Sequence, residues 1–266
     1  MKISHEVPLS LLEKSREFCD FDYALVHLFE TNKEYLEFFK KSLRLGRTVY
    51  LDNSVFELGE SFDHDRFAYW VKELGEINRD NFYYIIPDSL NEKNKTISNY
   101  IDFVTKYPNL PGKSIGVVQG ETYNELIDCY EFMSSNSDMV AISFGYSWFQ
   151  LLHKYEENKF FAMMKGRQNL IDLLIEEGFW NHNKPHHLLG CSLPQEFMHY
   201  SNIPSIVSVD TSNPIVMGML GHRYNETEGL RTKENIKLVD LFESKLTEIQ
   251  LDNIYHNISI FKGFVL

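Results

Sequence analysis

A chain of 266 residues and 31.3 kDa suits one large domain, and a barrel of alternating strands and helices typically needs about 250 residues. Hydrophobic residues make up 43% and aromatic residues 14%, enough for a sizeable core, which excludes a disordered chain. The formal charge of −12 and the pI near 5.3 exclude a broadly basic nucleic-acid binder but leave room for a local basic groove.

Short apolar runs alternate with longer amphipathic ones. Residues 2–7 have weak strand character. Clear strand candidates follow at 22–28, 48–52, 82–87, 114–119, 138–144, 186–191 and 205–210. Most are continuously apolar, as strands covered on both faces should be. Helical patterns lie between them at 32–45, 63–75, 91–106, 121–134, 166–178 and 232–246. This alternation predicts a parallel sheet with right-handed crossovers. The expected fold is α/β, a TIM-type (β/α)8 barrel over residues 1–266 whose degenerate first strand is Lys2–Val7. A doubly wound open sheet competes, but no Gly-x-Gly-x-x-Gly follows the first strand and no phosphate-binding loop occurs. The polar stretch 218–233 reads as a mobile loop beside the site. The apolar tail over 247–266 reads as docking on the body or on a partner subunit.

Two basic groups stand out: Lys40, Lys41, Arg44 and Arg47, and Lys154, Lys159, Lys165 and Arg167. Each is better explained as a solvated helix face. Cys19, Cys129 and Cys191 are far apart and form no Cys-x-x-Cys, so no disulfide framework is expected, and no four-ligand zinc site can be drawn from them by local spacing. A reducing cytoplasm fits. The opening residues lack the apolar core of a signal peptide, and no apolar stretch approaches membrane-spanning length, so no membrane role is expected.

Several strand candidates end in residues that carry chemistry. Ser-Ile-Val-Ser-Val runs into Asp210 and then Thr-Ser-Asn-Pro. Val-Tyr-Leu ends in Asp52, Ile-Ile-Pro in Asp88, and Gly-Val-Val in Gln119-Gly120. In α/β proteins the carboxyl ends of strands are where sites are built. Asp52 in Asp-Asn-Ser and Asp88 in Pro-Asp-Ser are also explained as helix caps or Asx turns. The Gln119 amide offers donors and an acceptor suited to the edge of a heterocyclic base. Gly120 either admits a ligand to the backbone or only turns the chain toward the next helix. Ser143-Phe144-Gly145 closes another strand in the same way. His186 and His187 are conceivable metal ligands, but no third ligand completes a motif. Two carboxylates at one pocket permit a retaining displacement at an anomeric carbon, one as nucleophile and one moving protons. Asp210 and Asp52 are the candidates.

The ordered motifs over about residues 48–215 resemble the tRNA-guanine transglycosylase superfamily. Leu-Asp-Asn-Ser-Val-Phe-Glu, residues 51–57, is similar to that family's Thr-Asp-Ser-Gly-Gly-Phe-Gln element, whose aspartate is the general acid/base. Ile-Pro-Asp88 resembles its base-binding strand end, and Val-Val-Gln119-Gly120 its Val-Gln-Gly strand. Ala-Ile-Ser-Phe-Gly145 resembles the glycine-rich segment that follows. His187-Leu-Leu-Gly-Cys-Ser-Leu-Pro194 is similar to His-Tyr-Leu-Met-Gly-Val-Gly-x-Pro, and Val-Asp210-Thr-Ser-Asn-Pro to Phe-Asp-Cys-Val-Leu-Pro, whose aspartate is the nucleophile.

The departures are informative. The double glycine is Ser54-Val55, and the following Gln is Glu57. The zinc-binding Cys-x-Cys-x-x-Cys plus His region of the tRNA enzymes is absent. The chain therefore resembles most the compact DNA-deazaguanine transglycosylases of phages and bacterial DNA-modification clusters. The resemblance implies replacement of guanine in DNA by a 7-deazaguanine such as preQ0. Asp210 is then the nucleophile and Asp52 the acid/base. Asp88, Gln119, Gly120, Ser143, Phe144 and Gly145 hold the base, and no cofactor or metal is used. Alternatives are exchange in tRNA, a nucleosidase acting on a free modified nucleoside, and a non-catalytic partner subunit. A homodimer is a further expectation.

Overall fold

The computed structural model describes residues 1–234 and 236–265. In chain order the elements are β1 (Lys2–Ser4), α1 (Leu12–Ser15), β2 (Asp22–Leu25), α2 (His27–Thr31), α3 (Lys33–Arg44), β3 (Val49–Asp52), α4 (Val55–Leu58), α5 (His64–Gly75), β4 (Phe82–Ile85), α6 (Lys93–Lys106), β5 (Lys113–Val117), α7 (Tyr123–Asn136), β6 (Met139–Ser143), α8 (Ser147–Leu152), α9 (Lys159–Glu176), β7 (His186–Leu189), β8 (Ile206–Asp210), α10 (Asn213–Met219) and α11 (Glu248–Val265). The strands hydrogen-bond in the order β1-β8-β7-β6-β5-β4-β3-β2. From β2 to β8 each strand lies beside its neighbour in sequence, and β1 lies beside β8. A doubly wound sheet would show a reversal of order at its switch point. There is none, and the fold is of the TIM-type (β/α)8 class. The weak N-terminal strand is real: Lys2 pairs with Ser208 and Ser4 with Asp210.

By contact density the chain divides into Phe21–Ala141 and a second unit made of Met1–Asp20 with Ile142–Leu266. In the first unit, parallel registers run Leu25↔Asp52, Leu51↔Tyr84, Ile85↔Ile115 and Val117↔Ala141. The helices begin where the sequence offers caps. The Asn32 side chain accepts from Tyr35 N, Asp63 from Arg66 N, and Thr122 forms a capping box with Glu125. Helix α3 then buries Tyr35, Phe38, Phe39 and Leu43 along one stripe. Arg47, from the first basic group, is committed to buried Asp22 through Nε and one terminal nitrogen, each 2.9 Å from a carboxylate oxygen. That pair is structural, and it removes one charge from any basic groove.

In the second unit, α9 starts seven residues before the expected 166. Asn158 caps it by accepting from Phe160 N. Gly166, which reads as a helix boundary, is interior. A β-carbon there would lie 2.3 Å from Phe149 Cβ, so the glycine admits α8 against α9. The helix expected over 232–246 is not formed: its described residues contain a 3-10 turn, Leu238–Leu241, while Asn235 lies outside the described residues. Polar side chains there take tertiary partners instead, as when Lys233 Nζ donates to Cys191 O.

The stretch 218–233, expected as a mobile loop, is pinned. Gln195 donates to Leu230 O and accepts from Leu230 N, and Asn225 accepts from Thr227 and Glu228 in a tight turn. The apolar tail is helix α11. It docks on α10, where Gly218 leaves no room for a side chain beside Ile254, and Asn257 bonds Pro214 O, His222 O and Tyr224 N.

Arg167 and Glu196 are both fully buried and meet at 2.5 Å. The guanidinium also donates to Leu189 O and Gly190 O, so it staples the end of β7 to α9. Burial works against its charge, but Glu196 more than compensates, and the guanidinium is held above its usual pKa. The second basic group thus spends Arg167 on structure, and Lys165 pairs with Glu156. Removing one partner of a buried pair typically costs about 3–5 kcal/mol. Arg167→Met should lower the urea-unfolding free energy by that order, and the double variant R167M/E196M should recover much of it. Equal losses in the two variants would contradict this account.

Candidate functional site

Asp210 is the last residue of β8 and is buried, at 4% exposure. Its partners come from β7 and the turn after it. His187 Nε2 lies 3.0 Å from Oδ1, and Gly190 N donates to the same oxygen at 3.2 Å. Gly190 has φ +65°, a conformation that glycine adopts without strain. Both donors fall on Oδ1, and Oδ2 accepts no hydrogen bond among the described residues.

Ser143, Phe144 and Gly145 sit at the end of β6 in the same unit. Phe144 N donates to Leu189 O, which ties the end of β6 to β7. The Phe144 ring lies against Gly190, where a β-carbon would come within 2.5 Å of it. Lys233 Nζ stands 4.8 Å above the same ring. Burial lowers the pKa of that lysine. Gly145 faces open space, with no atom within 4 Å of where its β-carbon would be. Ser143 Oγ accepts from Gly145 N, and Tyr146 Oη accepts from Ser143 N. Beside Asp210, in register on β1, the buried Ser4 hydroxyl has no hydrogen-bond partner. An unmet buried hydroxyl costs roughly 1–3 kcal/mol, and a ligand hydroxyl would relieve it.

The first unit holds a separate cluster. Asp88, buried after β4, accepts from Asn53 Nδ2 at 2.8 Å on Oδ1 and from Gln119 Nε2 at 2.7 Å on Oδ2. Gln119 Oε1 accepts from Asn91 N at 2.9 Å. Asp88 and Gln119 are therefore together, as the motifs imply, and each is also bonded within the protein. Burial pushes the Asp88 carboxyl above the ordinary range, while the bonds from Asn53 and Gln119 pull it back. Gly120 is explained by packing: a β-carbon would meet Glu125 Cβ at 2.8 Å in the first turn of α7.

Asp52 ends β3 half-exposed. Tyr23 Oη donates to its Oδ2 at 2.6 Å, and Ser54 N to its Oδ1 at 2.5 Å. The second contact is an Asx turn, with Ser54 at φ +62°. The local-turn explanation of Asp-Asn-Ser thus holds for Asp52 alongside its exposure at a strand end.

Sequence reasoning missed Asn53, Tyr23, Ser208 and the partnership of His187 with Asp210. The signal for the last was present: Ser208 and Asp210 are two apart on a strand and so share a face, and His187 lies on the neighbouring strand. His186 lies elsewhere, its ring stacked on Trp180 at 3.7 Å. Among the described residues no group of three His, Cys, Asp or Glu side chains is placed to hold a metal ion.

The Asp88 environment has a measurable sign. With the folded-state pKa raised, the folded protein binds more protons than the unfolded chain between the two values. Stability from this group therefore rises as pH falls through the folded-state value toward the ordinary carboxylate value near ~3.9. Urea midpoints should show wild type gaining on Asp88→Asn as pH is lowered. A difference between the two that stays constant with pH would contradict the assignment.

No family model matches the chain, and a search of curated proteins finds no match either.

Proposed function

We propose that the protein is a base-exchange transglycosylase that replaces guanine in DNA with a 7-deazaguanine. The observation that carries this reading is Asp210: a buried carboxylate at a strand end, fixed through Oδ1, with Oδ2 open. The motif order from Asp52 to Pro214 supports it, as does the joining of Asp88 to Gln119. Tyr155, 88% exposed with the Lys154 ammonium 5.0 Å from its ring, is a surface on which a nucleic-acid base can stack.

In the proposed reaction, Asp210 Oδ2 bonds to C1′ as the C1′–N9 bond breaks. The electron pair goes to N9, and the departing guanine takes a proton from Asp52. The 7-deazaguanine then attacks C1′ through N9, its proton passes to the Asp52 carboxylate, and Asp210 is released. Atoms and charge balance over the two halves, and the configuration at C1′ is retained. Asp88 and Gln119 read the base edge, with the remaining lone pairs of the carboxylate and the second amide hydrogen. A target base within a duplex must first be flipped out, at a cost of a few kcal/mol.

Labelled preQ0 offered in parallel with DNA, tRNA and free guanine nucleosides decides the substrate. The reading predicts label in DNA and a loss of about a thousand-fold or more in Asp210→Ala. Label confined to tRNA would replace DNA with RNA as the substrate. Release of base from the free nucleoside alone, or full activity in Asp210→Ala, would overturn the proposal.

A further inference from the structure

Ser208, His187 and Asp210 form a hydrogen-bonded line. Ser208 Oγ is 2.9 Å from His187 Nδ1, and His187 Nε2 is 3.0 Å from Asp210 Oδ1. The residue types are those of a nucleophilic serine triad, but the order of access is reversed. Ser208 and His187 are fully buried, and Ser208 lies two residues inside β8, while Asp210 stands at its end. The serine is placed to anchor and the aspartate to react.

We propose that His187, backed by Ser208, is a positioning residue that holds Asp210 with Oδ2 presented to the sugar carbon. The inference rests on the reading of Asp210 as nucleophile. An ionised carboxylate can only accept, so His187 Nε2 carries the proton toward Asp210. In a neutral ring this leaves the lone pair at Nδ1, where the Ser208 hydroxyl, able to donate or accept, donates. The carboxylate thereby sets the tautomer, and Ser208 fixes the far side of the ring. Gly190 N–H supplies a second donor to Oδ1. Phe144 packs against that glycine and holds the turn in place. Two donors on one oxygen stop rotation of the carboxylate and leave the lone pairs of Oδ2 for C1′. A reacting atom misplaced by about 1 Å can cost a hundred-fold in rate.

The test combines three variants with one spectrum. Single-turnover formation of the covalent sugar–protein adduct should slow about a hundred-fold in His187→Leu, with KM for the incoming base little changed. In His187→Gln an amide N–H reaches the same oxygen, and the rate should return to within about ten-fold of wild type. Ser208→Ala should fall between them. Circular dichroism confirms that each variant is folded. Wild-type rates in His187→Leu, or a folded His187→Gln as slow as His187→Leu, would overturn the proposal. Independently, 15N spectra of histidine-labelled protein should show His187 as the neutral Nε2–H tautomer. The Nδ1–H tautomer would overturn the positioning role. If wild type forms no adduct with DNA or RNA, the nucleophile reading fails, and the nitrogen spectrum still decides how His187 bonds Asp210.

Discussion

The hydrogen bonds on Asp210 Oδ1 are the constraint from which the candidate chemistry follows. They exist because β8 lies beside β7, so that its last side chain meets a histidine from that neighbour and the turn that follows it, while Ser4 of β1 is its register partner on the other side. Each contributor is placed by backbone geometry. The φ of Gly190 turns its N–H toward the carboxylate, and the Arg167 guanidinium holds the carbonyls of Leu189 and Gly190 from behind. The buried Arg167–Glu196 pair supports this turn as well as the packing of α9. A carboxylate so surrounded loses the freedom to rotate, which is the preorganisation that a displacement at carbon needs.

The two clusters differ in how completely they satisfy themselves. Asp88 has an amide on each oxygen, and its burial favours the protonated form. Asp210 has both donors on one oxygen. Asp52 is half-exposed, held by a phenol and a turn. The three aspartates occupy similar positions along their strands. Their surroundings differ: Asp88 sits in an amide network, Asp210 keeps one oxygen open and Asp52 is half-exposed, and environment commonly divides the properties of carboxylates in this way.

Much of the fold was legible because its signals are local. Continuous apolar strands, capped helices and strand–helix alternation produced the (β/α)8 class, and even the three-residue β1 was placed correctly. Failures came where tertiary partners override local pattern. Gly166 reads as a boundary until Phe149 is seen to need its space. The polar stretch before Lys233 reads as loose until Gln195 is seen to clamp Leu230. In the site, strand ends pointed to Asp52, Asp88, Gln119 and Asp210 because those side chains follow apolar runs. His187 was visible only as a histidine of uncertain purpose. The face shared by Ser208 and Asp210 and the neighbouring strand of His187 were in the sequence, but the register that brings the ring to the carboxylate was not.

The most direct test of the central claim is to locate the covalent bond. Protein reacted with guanine-containing DNA and a slow 7-deazaguanine analogue is denatured, digested with nuclease and protease, and analysed by mass spectrometry. The account predicts a sugar-bearing peptide that spans residues 205–214, with the modification on Asp210 and its loss in Asp210→Asn. A sugar on Asp52 or Ser208, or an adduct that survives Asp210→Asn, would contradict it.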